Sequence, residues 1–122
     1  GNPEVRMARK RKQQELVEQR SIQNVPQADV VVVNPTHYAV ALAYRSGEME
    51  SPKVIAKGTD LLAARIRVAA RRAGVPILPR PPLARALCRR VKVGQSIPED
   101  LFQAVAVVLA YVYRLRGRRG MA

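Results

Sequence analysis

The chain has 122 residues and a formal net charge of +13, from 22 Lys plus Arg against 9 Asp plus Glu. That length fits one domain with a real core and excludes two. With no Trp and 1 Phe, the core is expected to be aliphatic, built from Val, Leu, Ile and Ala. The single cysteine, Cys88, excludes an intrachain disulfide and fits a reducing compartment. The cation excess suits a polyanion of some kind (nucleic acid, anionic lipid headgroups or acidic protein) without choosing among them. The longest apolar run, Ala104–Tyr113, is too short to span a bilayer. No signal peptide is visible. The opening Gly1-Asn2-Pro3 reads as the edge of a longer chain, with room for a membrane part upstream.

Residues 3–20 form helix readily, with Pro3 and Glu4 suited to a first turn. Val5, Met7, Leu16 and Val17 make no continuous apolar stripe, so a solvated, connecting helix is expected, ended by Ser21–Gln27 with its Pro26. Ala28–Val33 is a β-branched run without alternation, the pattern of a strand buried on both faces. Tyr38–Tyr44 predicts a second strand, Arg45–Ser51 a polar loop, and Lys53–Lys57 a third strand stopped by Gly58.

Thr59 is a candidate cap for a helix over Asp60–Ala73, with Leu62, Ile66, Ala69 and Ala73 on its inner face and Gly74 as its stop. Val75–Leu78 predicts a fourth strand, closed by Pro79-Arg80-Pro81-Pro82, and Leu83–Arg89 a short helix. The last helix starts at Pro98, carries Glu99 and Asp100 at its positive end and Arg114 and Arg116 near its negative end. Its buried stripe is predicted as Leu101, Val105, Val108, Val112 and Leu115. The order β–β–β–α–β–α–α implies an α/β fold: a small mixed four-stranded sheet flanked by helices, behind an N-terminal solvated helical arm. The expected division is an arm over residues 1–27 and a domain over 28–122.

Chemistry concentrates at Asn34-Pro35-Thr36-His37, between two predicted strands. An Asn-Pro step is first of all a turn opener. Amide chemistry adds a second reading. An Asn usually decays when the following backbone nitrogen attacks its side chain, and Pro35 has no N–H to allow that. The remaining route is attack by the Asn34 side-chain nitrogen on its own backbone carbonyl, giving a succinimide and releasing Pro35 as a new N-terminus. A strained turn would supply proximity. His37, the only histidine, carries the side-chain type best suited to moving protons near neutral pH. Thr36 could orient the turn or donate to the developing oxyanion.

Together with this motif, the charged arm, ADVVVVNPTHYAVAL, PKVIAKG, the Arg-rich helix, VPILPRPPLARAL and GQSIPEDLFQAVAVVLAYVYRL make the chain resemble the cytoplasmic domain of the FlhB/YscU family over nearly its whole length. PPLARAL and IPEDLFQAVAVVLAYVYRL look more like the flagellar branch than the virulence branch. Cys88 stands where the resemblance leads one to expect Tyr.

The resemblance implies a component of the bacterial flagellar or type III protein-export apparatus, cut once between Asn34 and Pro35, with no turnover and no cofactor. It implies that the cut pieces stay associated and switch the export substrate class. Implied partners are rod- and hook-type early substrates, filament-type late substrates, other export-gate membrane proteins and the hook-length ruler protein. An upstream membrane region would hold this domain on the cytoplasmic side of the inner membrane. The resemblance also suggests docking on a small apolar patch, for which Ser51, Pro52, Ala106 and Leu109 are the candidates.

Other constellations are weaker. Cys88 is read as a buried helix thiol rather than the partner of His37 in a protease dyad. One His and one Cys offer no metal-ligand spacing. The basic runs Arg9–Lys12, Arg71-Arg72, Arg89–Lys92 and Arg114–Arg119 keep nucleic-acid binding as the rival reading, with Asn34-Pro35 a plain turn. No reading motif or aromatic stacking platform accompanies them. An arm lying near an anionic membrane explains the charge as well.

Overall fold

A computed structural model of the chain describes the backbone of residues 1–121 and the side chains of residues 1–117. Helix α1 spans Pro3–Ser21, and the strands are β1 (Val30–Asn34), β2 (Tyr38–Ala43), β3 (Lys53–Thr59) and β4 (Ile77–Pro79). Helices α2 (Asp60–Ala73), α3 (Pro81–Arg90) and α4 (Phe102–Met121) complete the fold. The sheet order is β3-β2-β1-β4, with β1 antiparallel to β2, β2 antiparallel to β3, and β1 parallel to β4.

The valine run of β1 behaves as its composition demands. Val30 and Val32 face one core, with Val40, Leu42 and Val54, under α3 and α4. Val31 and Val33 face the other, with Ala39, Ala41 and Ala56, under α2. Alanines on that second face let α2 approach closely. Gly58 shows how closely: a Cβ there would lie 2.5 Å from the Leu62 Cβ. Gly58 is therefore a member of β3 rather than its stop, because its value is the missing side chain and not a turn.

Several local expectations shift by a residue or two. The buried face of α2 is Ala63, Ile66 and Ala70, whereas Ala73 is exposed and Leu62 and Ala69 are half-buried. Thr59 makes no side-chain cap; the chain instead turns into α2 through Asp60, whose φ is +48°. Gly74 closes α2 in the left-handed conformation at φ +72°, as a C′ glycine should. Pro98 precedes a short 3₁₀ turn, Glu99–Leu101, before α4 begins. Within α4, Val105, Val108, Leu109 and Val112 are buried and Leu115 is half-buried, as is Leu101 in the turn before it.

Helix α1 is exposed along almost all its length, with Val5, Met7, Leu16 and Val17 open to solvent, and Asn2 caps it by accepting from the Glu4 N–H at 2.9 Å. The segment after it behaves differently. Ile22–Gln27 is a 3₁₀ helix whose Val25 is fully buried in the second core, and the Asn24 side chain donates to the Ile55 carbonyl at 3.0 Å. Residues 22–27 thus pack with the domain, which moves the physical start of the core earlier than residue 28.

Asp29 is the only buried charged residue among the described ones. Its carboxylate accepts from the Tyr44 backbone N–H at 2.8 Å and from Arg45 Nη1 at 3.0 Å. Arg116 Nη1 approaches its other oxygen at 3.3 Å. A buried carboxylate is tolerable only when its lone pairs are met in this way.

Candidate functional site

Strands β1 and β2 form a hairpin whose last paired residues are Asn34 and Tyr38, leaving Pro35, Thr36 and His37 as the connection. The His37 N–H donates to the Asn34 carbonyl at 3.0 Å, closing a four-residue turn. Proline at the second position and a left-handed residue at the third are the marks of a type II turn, whose third position normally takes Gly or Asn. Here that residue is Thr36, at φ +74°. A β-branched side chain in that region is a genuine outlier, costing on the order of 1–3 kcal/mol.

What holds the turn there is the sheet beneath it. Val33 and Ala39, one step below the turn, are paired and buried. On the other side, the Arg80 N–H donates to the Val33 carbonyl at 2.9 Å, tying the start of α3 to the residue before Asn34. The hairpin end is therefore fixed while Pro35, Thr36 and His37 remain exposed to water.

This geometry has a chemical consequence. The carbonyl that Asn34 would attack is the one that accepts the His37 N–H, so a donor already sits where negative charge would develop. The donor placed there is the backbone N–H of His37, and Thr36 shapes the turn through its φ of +74°. The imidazole faces another group, unforeseen from sequence. His37 Nδ1 lies 3.4 Å from Asp60 Oδ1, and the Asp60 N–H donates to the His37 carbonyl at 3.1 Å. The signal for Asp60 was the register itself, since Thr59 pairs opposite Tyr38 and brings the next residue beside His37.

Cys88 lies elsewhere, in the first core on α3, 9% exposed. Burial pushes its thiol above the ordinary range, against a smaller opposing pull from Lys57, so it is not an activated nucleophile. Of the basic runs, Arg90 is committed to a two-pronged pair with Asp100 at 2.7 and 2.8 Å, and Arg116 to Asp29. The side chains of Arg118 and Arg119 lie outside the described residues. No helix among the described residues is long and apolar enough to cross a membrane.

The four residues expected to mark a docking patch do converge. Ser51, Pro52, Ala106 and Leu109 line one open cleft of about 340 Å³, together with Tyr44, Phe102 and Tyr113. Ala106 is exposed on its wall, whereas Leu109 is 5% exposed and belongs to the core.

Comparison with known proteins converges on one family. The profile described as the FlhB HrpN YscU SpaS family matches residues 1–112. The chain is 48% identical over 116 residues to the flagellar biosynthetic protein FlhB of Salmonella typhimurium, covering 95% of this chain and 30% of that protein. It is 43% identical over 116 residues to FlhB of Bacillus subtilis, covering 95% of this chain and 32% of that one. The chain thus spans about a third of the length of the curated relatives it matches. Among solved structures, the cytoplasmic domain of FlhB from Shewanella putrefaciens is 50% identical with a TM-score of 0.79, covering 84% of this chain and 79% of that chain. An EscU C-terminal domain carrying an Asn-to-Ala substitution is 36% identical with a TM-score of 0.73, covering 75% of this chain and 92% of that chain.

Proposed function

The chain belongs to the FlhB HrpN YscU SpaS family, and from that membership and the strained turn at its centre we propose that it is a self-cleaving switch module of a bacterial protein-export apparatus. The observation that carries the cleavage is Thr36 held at φ +74° beside Asn34-Pro35, with the His37 N–H on the Asn34 carbonyl oxygen. The side-chain nitrogen of Asn34 attacks its own backbone carbon, forming the new C–N bond of a succinimide. That nitrogen loses a proton, the bond to Pro35 breaks, and the Pro35 nitrogen takes a proton up. His37 is the group that moves these protons. Water later opens the imide. The event occurs once per chain, so the module is not a turnover enzyme.

Under this reading residues 1–21 connect an upstream membrane region to the domain, which sits on the cytoplasmic side of the inner membrane. Cleavage changes the surface that early rod- and hook-type substrates, late filament-type substrates, the ruler protein and other gate components meet. The cleft at Pro52 and Ala106 is the surface we assign to docking of early substrates. We assign the unpaired cations to solvated and membrane-facing surface rather than to a nucleic-acid interface.

Intact mass and denaturing electrophoresis of purified protein test the cleavage directly. Two pieces are expected, residues 1–34 and 35–122, the second starting at Pro35. Asn34→Ala removes the nucleophile and should stay whole, and His37→Ala should slow cutting about 10²-fold, as loss of a general acid–base does. Cutting of Asn34→Ala at the same bond and at an undiminished rate would sink the mechanism.

A further inference from the structure

We propose that Asp60 is a positioning residue for self-cleavage, holding the His37 imidazole by its Nδ1 edge so that Nε2 is the nitrogen left to exchange protons. The inference rests on the self-cleavage reading and adds to it a residue on a different element, 23 positions away in sequence.

Two contacts tie Asp60 to His37, and they constrain different parts of it. The Asp60 N–H donates to the His37 carbonyl at 3.1 Å, which fixes the backbone of the turn's last residue. The carboxylate Oδ1 lies 3.4 Å from Nδ1, which orients the ring. A carboxylate accepts and cannot donate, so it favours the neutral tautomer with its proton on Nδ1 and leaves a lone pair on Nε2.

The local backbone supports a role beyond helix capping. Asp60 opens α2 at φ +48°, one of two non-glycine residues among the described ones with positive φ, and the other is Thr36 in the turn it contacts. Asp tolerates this conformation better than most residues. Its carboxylate is aimed at the hairpin, while Gly58 lets α2 start close against β3 and so brings Asp60 within reach. Both side chains are exposed, at 70% and 76%, so the contact is weak by itself and its effect is orientation.

The test compares Asp60→Gly with Asp60→Asn in the full 122-residue chain. Glycine relieves the positive φ and removes the acceptor, so the protein should fold at least as well yet cut about fivefold more slowly, the scale of one exposed polar contact. Asparagine tolerates the same backbone but can donate as well as accept, so it should cut at a rate between the parent and the glycine variant. A second readout is independent of cutting. With a single histidine, long-range ¹⁵N–¹H spectra in an Asn34→Ala background report the tautomer without ambiguity. The Nδ1–H form should dominate with Asp60 and lose its preference with Gly, and with Asn, whose amide can donate as well as accept, the preference should weaken. If Asp60→Gly cuts at the parental rate and leaves the imidazole shifts unchanged, the proposal is overturned, while His37→Ala still decides the cleavage reading separately.

Discussion

Five residues before the Asn34–Pro35 bond, the buried carboxylate of Asp29 holds Arg116, near the far end of the chain, at 3.3 Å. Its other partners, Tyr44 and Arg45, also lie beyond that bond. Among the described residues, every polar contact of this carboxylate therefore reaches across the proposed cut. Asp29→Ala should lower stability by about 2 kcal/mol, the scale of losing hydrogen bonds to a charged group whose arginine partners can return to water. A thermal melt checks the stability. Size-exclusion chromatography of cut protein should show one peak for the parent, held by the valines of β1, and partial separation for the variant. Separation of the parent pieces at neutral pH and moderate salt would contradict the strand pairing.

Thr36 holds the turn at a cost, which predicts opposite effects on stability and on rate. In an Asn34→Ala background, Thr36→Gly should raise stability by about 1 kcal/mol, the φ strain released less the added freedom of glycine in the unfolded chain. With Asn34 present the same change should slow cutting, because a freer turn spends less time in the attack geometry. Denaturant titration and a time course of the two pieces give the two numbers. Faster cutting in Thr36→Gly would remove strain from the mechanism.

Charge placed in the cleft beside α4 tests the proposed docking separately from the proposed cleavage. Pro52→Asp and Ala106→Asp place charge on an apolar wall without entering the core, since Ala106 is exposed and Pro52 half-buried. Export of early substrates should fall, with cutting and the melting temperature nearly unchanged. Leu109 is unsuited to this test, being 5% exposed and packed in the first core.

Cys88 reports on the integrity of that core. Burial raises its thiol pKa, so at any given pH the folded chain holds less thiolate than the unfolded one. Its reaction with a disulfide reagent should begin at higher pH in the native protein than in denaturant, and this protection should survive cutting. Rapid native modification at pH 8 would mean that α3 does not cover β1 as described.

How much of this was legible in the sequence depends on the range of the interaction. The unbroken valines of β1, the glycine after α2 and the order of elements are local signals, and they were enough for the mixed four-stranded sheet, although Asn34 closes β1 rather than following it. Gly58 misled because a glycine that ends a strand and a glycine that admits a helix look alike until the helix is placed. Val25 was hidden behind Pro26, which marks an irregular segment without saying which way it faces. The α2 stripe was offset by a residue because its buried centre is set by the alanines opposite, not by its own period. Asp60 and the His37 N–H were invisible for a further reason: both depend on register and on backbone angles that no side-chain pattern encodes.

The central place of β1 has one more consequence. It pairs on both edges and supplies valines to both cores. Once the bond after Asn34 opens, β1 belongs to a separate polypeptide, and it cannot leave without exposing both layers at once. Dissociation and global unfolding then become a single event with a single barrier. The lifetime of the two-piece assembly is set by that unfolding rate, and dilution governs only whether the pieces find each other again.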